Sequence, residues 1–403
     1  MTALEDSSPA LTASGLRRVL AALCLTEISS WGILYYAFPV LSVSISRDTG
    51  WSITVIVAAF SVSQLVAAAV GVPVGRILDR HGPRWVMTAG SVLAVPAVVA
   101  IAAAPTVPVF FAGWVLAGVA KGAVLYPPAF AALTRWYGDG YVKALMILTL
   151  AAGLASTIFA PISAALDDHF NWRTAYLVLA LILAAVTIPG HIWGLRGPWP
   201  EPVRLAGAHP VDFRTTVRSP AFLALTIAFA AGAFAASAGV FNLVLLLIER
   251  GFSPGLAALT LGLGGAGQVV GRLFYLPFAA RTTVRVRTVS VIAVAGLSTA
   301  GLGLTGMATV LTGLAIGAGV ARGIFTLIQA TAITDRWGRE YYGRLSGIMS
   351  APIVITTALG PWAGSVLSMW SGSYANAYLI LGAVGLVAAA IGGASIPAAA
   401  AAE

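Results

Sequence analysis

A chain of 403 residues that is 59% hydrophobic and 9% charged, with a mean hydropathy of +0.92, carries too little polar surface to enclose itself as a water-soluble globule. Its one cysteine, Cys24, excludes an intrachain disulfide framework or a cysteine metal site and reads as a small buried hydrophobe. The formal charge of +9 needs no nucleic-acid partner if the cations fall where membrane topology puts them.

About 20 helical residues cross a bilayer. Apolar runs of that length occur at 19–45, 52–75, 85–104, 107–133, 143–165, 173–195, 220–248, 254–279, 288–306, 308–334, 345–369 and 374–396. They are continuous and rich in Gly and Ala, which predicts helices; a membrane barrel would show alternating segments of about 10 residues. The first run follows Arg17-Arg18 as a signal peptide would, but it is too long for one and further spans follow it. Placing residues 1–18 in the cytoplasm puts every loop Lys and Arg inside except Arg47, Arg173 and Arg250. That is the positive-inside pattern. The expectation is a multi-pass protein of the cytoplasmic (inner) membrane with both termini cytoplasmic.

Along the chain, the first span carries Glu27 and the aromatic set Trp31, Tyr35, Tyr36 and Phe38. Gly75-Arg76-Ile77-Leu78-Asp79-Arg80-His81-Gly82-Pro83-Arg84 joins the second and third spans; its glycines suit a tight turn, and Asp79 suits a neighbouring helix N-terminus. The fourth span holds Gly118-Val119-Ala120-Lys121-Gly122, with Lys121 about 20 Å from either helix end at 1.5 Å per residue. Snorkelling does not rescue a cation at that depth. Asn171-Trp172-Arg173 opens the sixth span, with Trp172 expected at the outer interface. The polar, Pro-rich stretch 196–219 reads as a connector. Beyond it come Asn242 in the seventh span, Arg272 in the eighth, and Gly319-Val320-Ala321-Arg322-Gly323 in the tenth.

The last motif repeats that of the fourth span. At the same offset Arg135-Trp136 matches Arg336-Trp337 and Tyr141 matches Tyr342; with a small drift, Gln64 and Pro73 meet Gln268 and Pro277. The chain is read as all-α integral membrane, with twelve transmembrane helices in two pseudo-symmetric six-helix bundles: 1–195, then the connector 196–219, then 220–403. Ionisable side chains in hydrocarbon tend to face partners or water-filled paths. Lys121, Arg272 and Arg322 against the single acid Glu27 leave two positive charges in the spans, so an anion is the simplest missing partner. Arg suits bidentate capture of a carboxylate and Lys acts as a point charge. Glu27 either carries a proton or pairs with Lys121 or Arg322; both remain open.

The Gly75–Arg84 loop resembles the cytoplasmic signature G-x-L-a-D-R-x-G-R-[RK] of the major facilitator superfamily, departing mildly at Ile77 and Leu78 and more at Pro83. That resemblance implies the major facilitator fold, alternating access around a midplane site, and a cytoplasmic gate of Gly75, Asp79, Arg80, Gly82 and Arg84. In that gate Asp79 would latch against a helix end in the other half. Within the superfamily, Trp31-Gly32 with Tyr35-Tyr36, Gly271-Arg272, and Ser373-Tyr374 resemble the oxalate/formate antiporter and monocarboxylate transporter group. The expectation is therefore a secondary active transporter of a small organic anion, by proton coupling or exchange, with Arg272, Arg322, Lys121, Tyr35, Tyr36 and Asn242 contacting substrate and Glu27 as proton carrier. The alternative is a proton-coupled exporter of drugs or other small molecules. No enzyme, cofactor or metal site is expected: His81, His169, His191 and His209 lie in or near loops, and no H-E-x-x-H motif or nucleophile–base set occurs. The partners expected are the substrate, the lipid bilayer and protons, with no nucleic acid and a functional monomer.

Overall fold

Each predicted span forms a helix in the computed structural model, which describes residues 11–200 and 213–397. In the first part of the chain these are Ala13–Thr49, Ile53–His81, Pro83–Ala103, Val107–Trp136, Gly138–His169 and Trp172–Gly194. They are followed by Pro220–Glu249, Pro254–Ala280, Val284–Leu304, Ala308–Thr331, Tyr342–Ser371 and Tyr374–Gly392, here numbered first to twelfth. Among the described residues eleven of these stretches are long and apolar enough to cross a membrane, and the predicted eighth span is the 27-residue helix Pro254–Ala280. Residues 201–212 of the predicted connector, with His209, lie outside the described residues; Phe213–Arg218 is a short helix.

Capping residues start many of the helices. Ser52, Asn171, Ser219, Ser253, Thr283 and Ser373 each accept a backbone N–H of the first turn through the side chain. Besides the sixth, which ends in a π-turn over Gly190–Gly194, three helices depart from regular α geometry. The fourth breaks at Leu125, ahead of Pro127 and Pro128, which cannot donate to the preceding turn. The fifth breaks at Gly153-Leu154. The first contains a π-turn over Gly32–Tyr36, within its aromatic set.

The contacts divide the chain into two compact units, Met1–Ala208 with Arg339–Ile348, and His209–Gly338 with Met349–Glu403. In the first unit the fourth helix packs on the second and third; in the second, the eighth packs on the tenth and the ninth on the twelfth. Glycine makes these pairs close. A Cβ at Gly118 would stand 2.5 Å from the Ser63 carbonyl oxygen, and one at Gly267 would stand 2.5 Å from that of Ile316. Cβ atoms at Gly271, Gly319 and Gly323 would run into the carbonyls of Val320, Gly264 and Gln268. In lipid, where apolar side chains gain little by leaving the solvent, backbone proximity of this kind is a main source of helix association.

Gly323→Ala is expected to force the eighth and tenth helices apart and to cost about 1–3 kcal/mol. Gly262→Ala, where nothing lies within 4 Å of the new Cβ, serves as the control and should be neutral or slightly stabilising. Thermal unfolding of the purified variants checks the pair; equal melting points would remove the helix-contact argument.

Candidate functional site

The glycine contact that seats the fourth helix on the second also delivers Lys121 to it. Lys121 is 1% exposed. Its Nζ donates to Ser63 Oγ and Gln64 Oε1, both at 2.8 Å, and lies 4.2 Å from the Phe60 ring centroid and 5.0 Å from that of Trp114. Neutral acceptors and two aromatic faces thus take up the ammonium. The aromatic set of the first helix continues from this cage. Phe38 stacks on Phe60 at 4.3 Å, Tyr35 meets Phe60 edge-on at 5.3 Å, and Trp31 packs on both Tyr35 and Tyr126. Tyr36 joins through Tyr35 at 5.2 Å.

Glu27 lies on the same helix, fully buried, and neither carboxyl oxygen has a hydrogen-bond partner among the described residues. The Trp31 indole N–H, one turn further on, is near enough to interact but falls outside hydrogen-bond geometry and also lacks a partner. Glu27 does not ion-pair with Lys121, whose hydrogen-bond acceptors are both neutral.

The second unit has the same frame with different contents. With Gln64 set against Gln268 and Lys121 against Arg322, the positions of Phe60, Ser63 and Trp114 are taken by Gly264, Gly267 and Ala315. The cage is stripped of its side chains. Arg322 instead borders two small cavities of about 20 and 30 Å³, both lined by Ala236, Ala295 and Thr299, one of them also by Gly264, Ala315 and Tyr378. Arg322 Nε has no hydrogen-bond partner, and the Tyr378 phenol donates to the Gly239 carbonyl. Arg272 is 7% exposed on the eighth helix, beside Gly271 where that helix touches the tenth. Asn242 is 2% exposed; its amide donates to the carbonyls of Ala238 and Pro361 and accepts from Ser365 Oγ at 3.0 Å. It ties the seventh helix to the eleventh.

The predicted Gly75–Arg84 loop is mostly helix: Gly75–His81 form the last turns of the second helix, Gly82 alone makes the turn and Pro83 opens the third, and the segment lies in the first unit with the start of the eleventh helix. Asp79 Oδ1 and Oδ2 accept the backbone N–H groups of Gly343 and Arg344, each at 3.0 Å, an anion at a helix N-terminus. Its backbone carbonyl accepts from Arg135 Nη1 at 2.9 Å and Trp199 Nε1 at 3.2 Å. Gly75 admits the Gly343 carbonyl, and Gly82, at φ 78°, lies under the Trp199 ring. Arg84 donates through Nε to the Ile192 carbonyl at 3.0 Å. Arg80 is exposed and has no hydrogen bond or ion pair among the described residues.

Two expectations gain detail. Trp172 is 2% exposed and donates to Asp48 Oδ2 at 2.9 Å, so it anchors the N-terminal end of the sixth helix to the first. His191, expected in or near a loop, is fully buried in the π-turn Gly190–Gly194 that ends the sixth helix, with Nδ1 2.7 Å from Ser91 Oγ. Sequence reasoning did not single out Ser63, Phe60, Trp114, Trp199 or the Gly343–Arg344 backbone, and it found Arg135 only as a repeat match. The spacing Gly343-x-x-x-Gly347 was the signal available for the last of these.

If Lys121 is held by Ser63 and Gln64, stripping its acceptors should cost more than removing the charge. Ser63→Ala with Gln64→Leu should destabilise by about 3–5 kcal/mol, as expected for an uncompensated buried charge. Adding Lys121→Met to that pair should recover much of the loss. Thermal unfolding of the series decides it; additive losses would show that Lys121 is anchored elsewhere.

The model of the Major Facilitator Superfamily matches residues 23–349. The oxalate:formate antiporter of Oxalobacter formigenes is 24% identical over 393 residues, which covers 94% of this chain and 90% of that one. An MFS-type transporter of Bacillus subtilis is 29% identical over 126 residues, and there the chain spans only 31% of the relative; against another curated relative it spans 40%. Among solved structures, the human organic anion transporter MFSD10 aligns with a TM-score of 0.73 at 15% identity, over 94% of this chain and 99% of that one. The match over residues 23–349, the eleven described helices long and apolar enough to cross a membrane and the shared fold agree: the chain belongs to the major facilitator superfamily and is a multi-pass membrane protein.

Proposed function

We propose that this transporter moves a small organic anion, a carboxylate, across the cytoplasmic membrane by alternating access, with both termini cytoplasmic and the monomer as the working unit. The observation that carries the reading is a pair of guanidinium groups, Arg272 and Arg322, on two glycine-packed helices whose spans contain no Asp or Glu. A guanidinium fork in a region of low dielectric suits a carboxylate better than any neutral or cationic solute. We assign the carboxylate to Arg272, with the charge of Arg322 on the adjacent helix adding to the field. Tyr35, Tyr36 and Asn242 are proposed as secondary contacts, and Lys121 contributes through the cage it organises. The whole-length similarity to an oxalate:formate antiporter supports the same class. Asp79, by accepting two N–H groups at a helix start, suits the role of a cytoplasmic latch, which Gly75 and Gly82 make sterically possible.

Glu27 is the proposed proton carrier. A buried carboxyl without a partner is costly whenever it is charged. Alternating water access would therefore let it gain and lose a proton in step with transport.

Competition with mono- and dicarboxylates, sugars and lipophilic cations tests the anion assignment on purified protein. Carboxylates should compete; Arg272→Gln should weaken them roughly 10- to 100-fold, the loss of one or two charge-assisted hydrogen bonds, and Arg322→Gln by less, the loss of a longer-range attraction. Binding that survives both changes, or preference for lipophilic cations, would replace this reading with the drug-exporter alternative. In proteoliposomes Glu27→Gln should retain counterflow but lose accumulation driven by a pH gradient; accumulation at the wild-type level would exclude Glu27 as carrier.

A further inference from the structure

We infer that the cavity at Arg322 is a binding site for a halide-sized inorganic anion, held inside the second unit and separate from the organic substrate. The first argument is charge. The acidic side chains of the described second unit are Glu249 and Asp335. Glu249 accepts the Tyr374 and Ala375 backbone N–H groups at 2.8 and 3.3 Å, and Asp335 pairs with Arg287. Neither reaches Arg322, whose Nε has no hydrogen-bond partner. Arg322 is half-buried, and a guanidinium whose Nε is shielded from water without a partner gains when a counter-charge joins it.

The second argument is the comparison between the two halves. The first unit solves the same problem with side chains: Phe60, Trp114, Ser63 and Gln64 surround Lys121. At the corresponding places the second unit has Gly264, Ala315 and Gly267 beside Gln268. Gly264 and Ala315, at the two ring positions, border the cavity, and Arg322 Nη2 comes within 3.7 Å of where a Cβ at Gly264 would stand; the hydroxyl position, Gly267, is closed by the Ile316 carbonyl. The space takes the place of a ligand set.

Size and lining choose the occupant. Cavities of about 20 and 30 Å³ hold one or two water-sized bodies. A monatomic anion fits that volume. The lining is mostly Ala, Gly and aromatic, with the Thr299 hydroxyl, bonded to the Ala295 carbonyl at 2.8 Å, as a second polar group that can rotate toward the ion. Few donors and an apolar wall favour a weakly hydrated ion such as chloride or bromide.

The test is thermal unfolding of the full chain in detergent, with sodium chloride or bromide exchanged for sodium gluconate at constant ionic strength. Wild type should show a saturable rise of about 2–4 °C with halide. Arg272→Gln should keep that rise even if it abolishes carboxylate binding, which separates this inference from the substrate assignment. Arg322→Gln should abolish it, and Ala236→Leu, which fills both cavities while sparing the guanidinium, should reduce it at least threefold in amplitude. Should Arg322→Gln fail to fold, the Ala236→Leu result and an anomalous bromide peak beside Arg322 carry the decision. The inference is overturned if chloride and gluconate give the same melting point, if Ala236→Leu responds like wild type, or if acetate reproduces the chloride effect.

Discussion

Backbone-to-backbone contact between glycine-bearing helices sets the terms for everything else in this protein. Where the fourth helix meets the second, and the tenth meets the eighth, carbonyl oxygens occupy the space a Cβ would need. Contact that close fixes both the separation and the rotation of each pair. It therefore dictates which way the cation lying between the two glycines of each motif must point. Lys121 and Arg322 are not free to seek partners; partners must be brought to them.

The two units meet that demand differently, and the difference is where function enters. In the first, a charge that would be expensive in a membrane is neutralised without any acid, by two acceptors and two ring faces. In the second, the homologous ring positions hold Gly and Ala, and the charge looks into space. The two halves share the scaffold, while the surroundings of the two cations differ: rings and acceptors about Lys121, space about Arg322. The Asp79 loop carries the same lesson: the first unit retains a carboxylate seated on backbone N–H groups, whereas the corresponding turn Arg281-Thr282-Thr283-Val284-Arg285 has none.

How much of this was legible in the sequence depends on the range of the interaction. The spans were readable because apolar length is a local property; several starts were not, because the first turns at Ala13, Val284 and Tyr342 lie in more polar sequence than the spans they open. The duplicated cations were readable because they too are local. Their partners were not, because Ser63 and Gln64 lie far from Lys121 in the chain and become neighbours only once helix rotation is known. For Trp172 a composition rule pointed to the helix end but not to its partner, because Asp48 is brought across from the first helix. Asp79 was found through the family-like motif, yet the motif names only one side of the contact, and the N–H groups that meet it belong to a helix more than two hundred residues later.

The π-turn over Gly32–Tyr36 carries a further consequence for the first helix. A π-turn holds one residue more than an α-turn, and one residue corresponds to about 100° of rotation in an α-helix. The stretch bearing Glu27 and the stretch bearing Phe38 are therefore out of phase with a regular helix, and each addresses its own set of neighbours. Register works here as a separate variable from sequence: converting this turn to α geometry would leave every residue in place and change which of them share a face. A carboxyl and an aromatic network on one helix could thereby be uncoupled or aligned without a single side chain being exchanged.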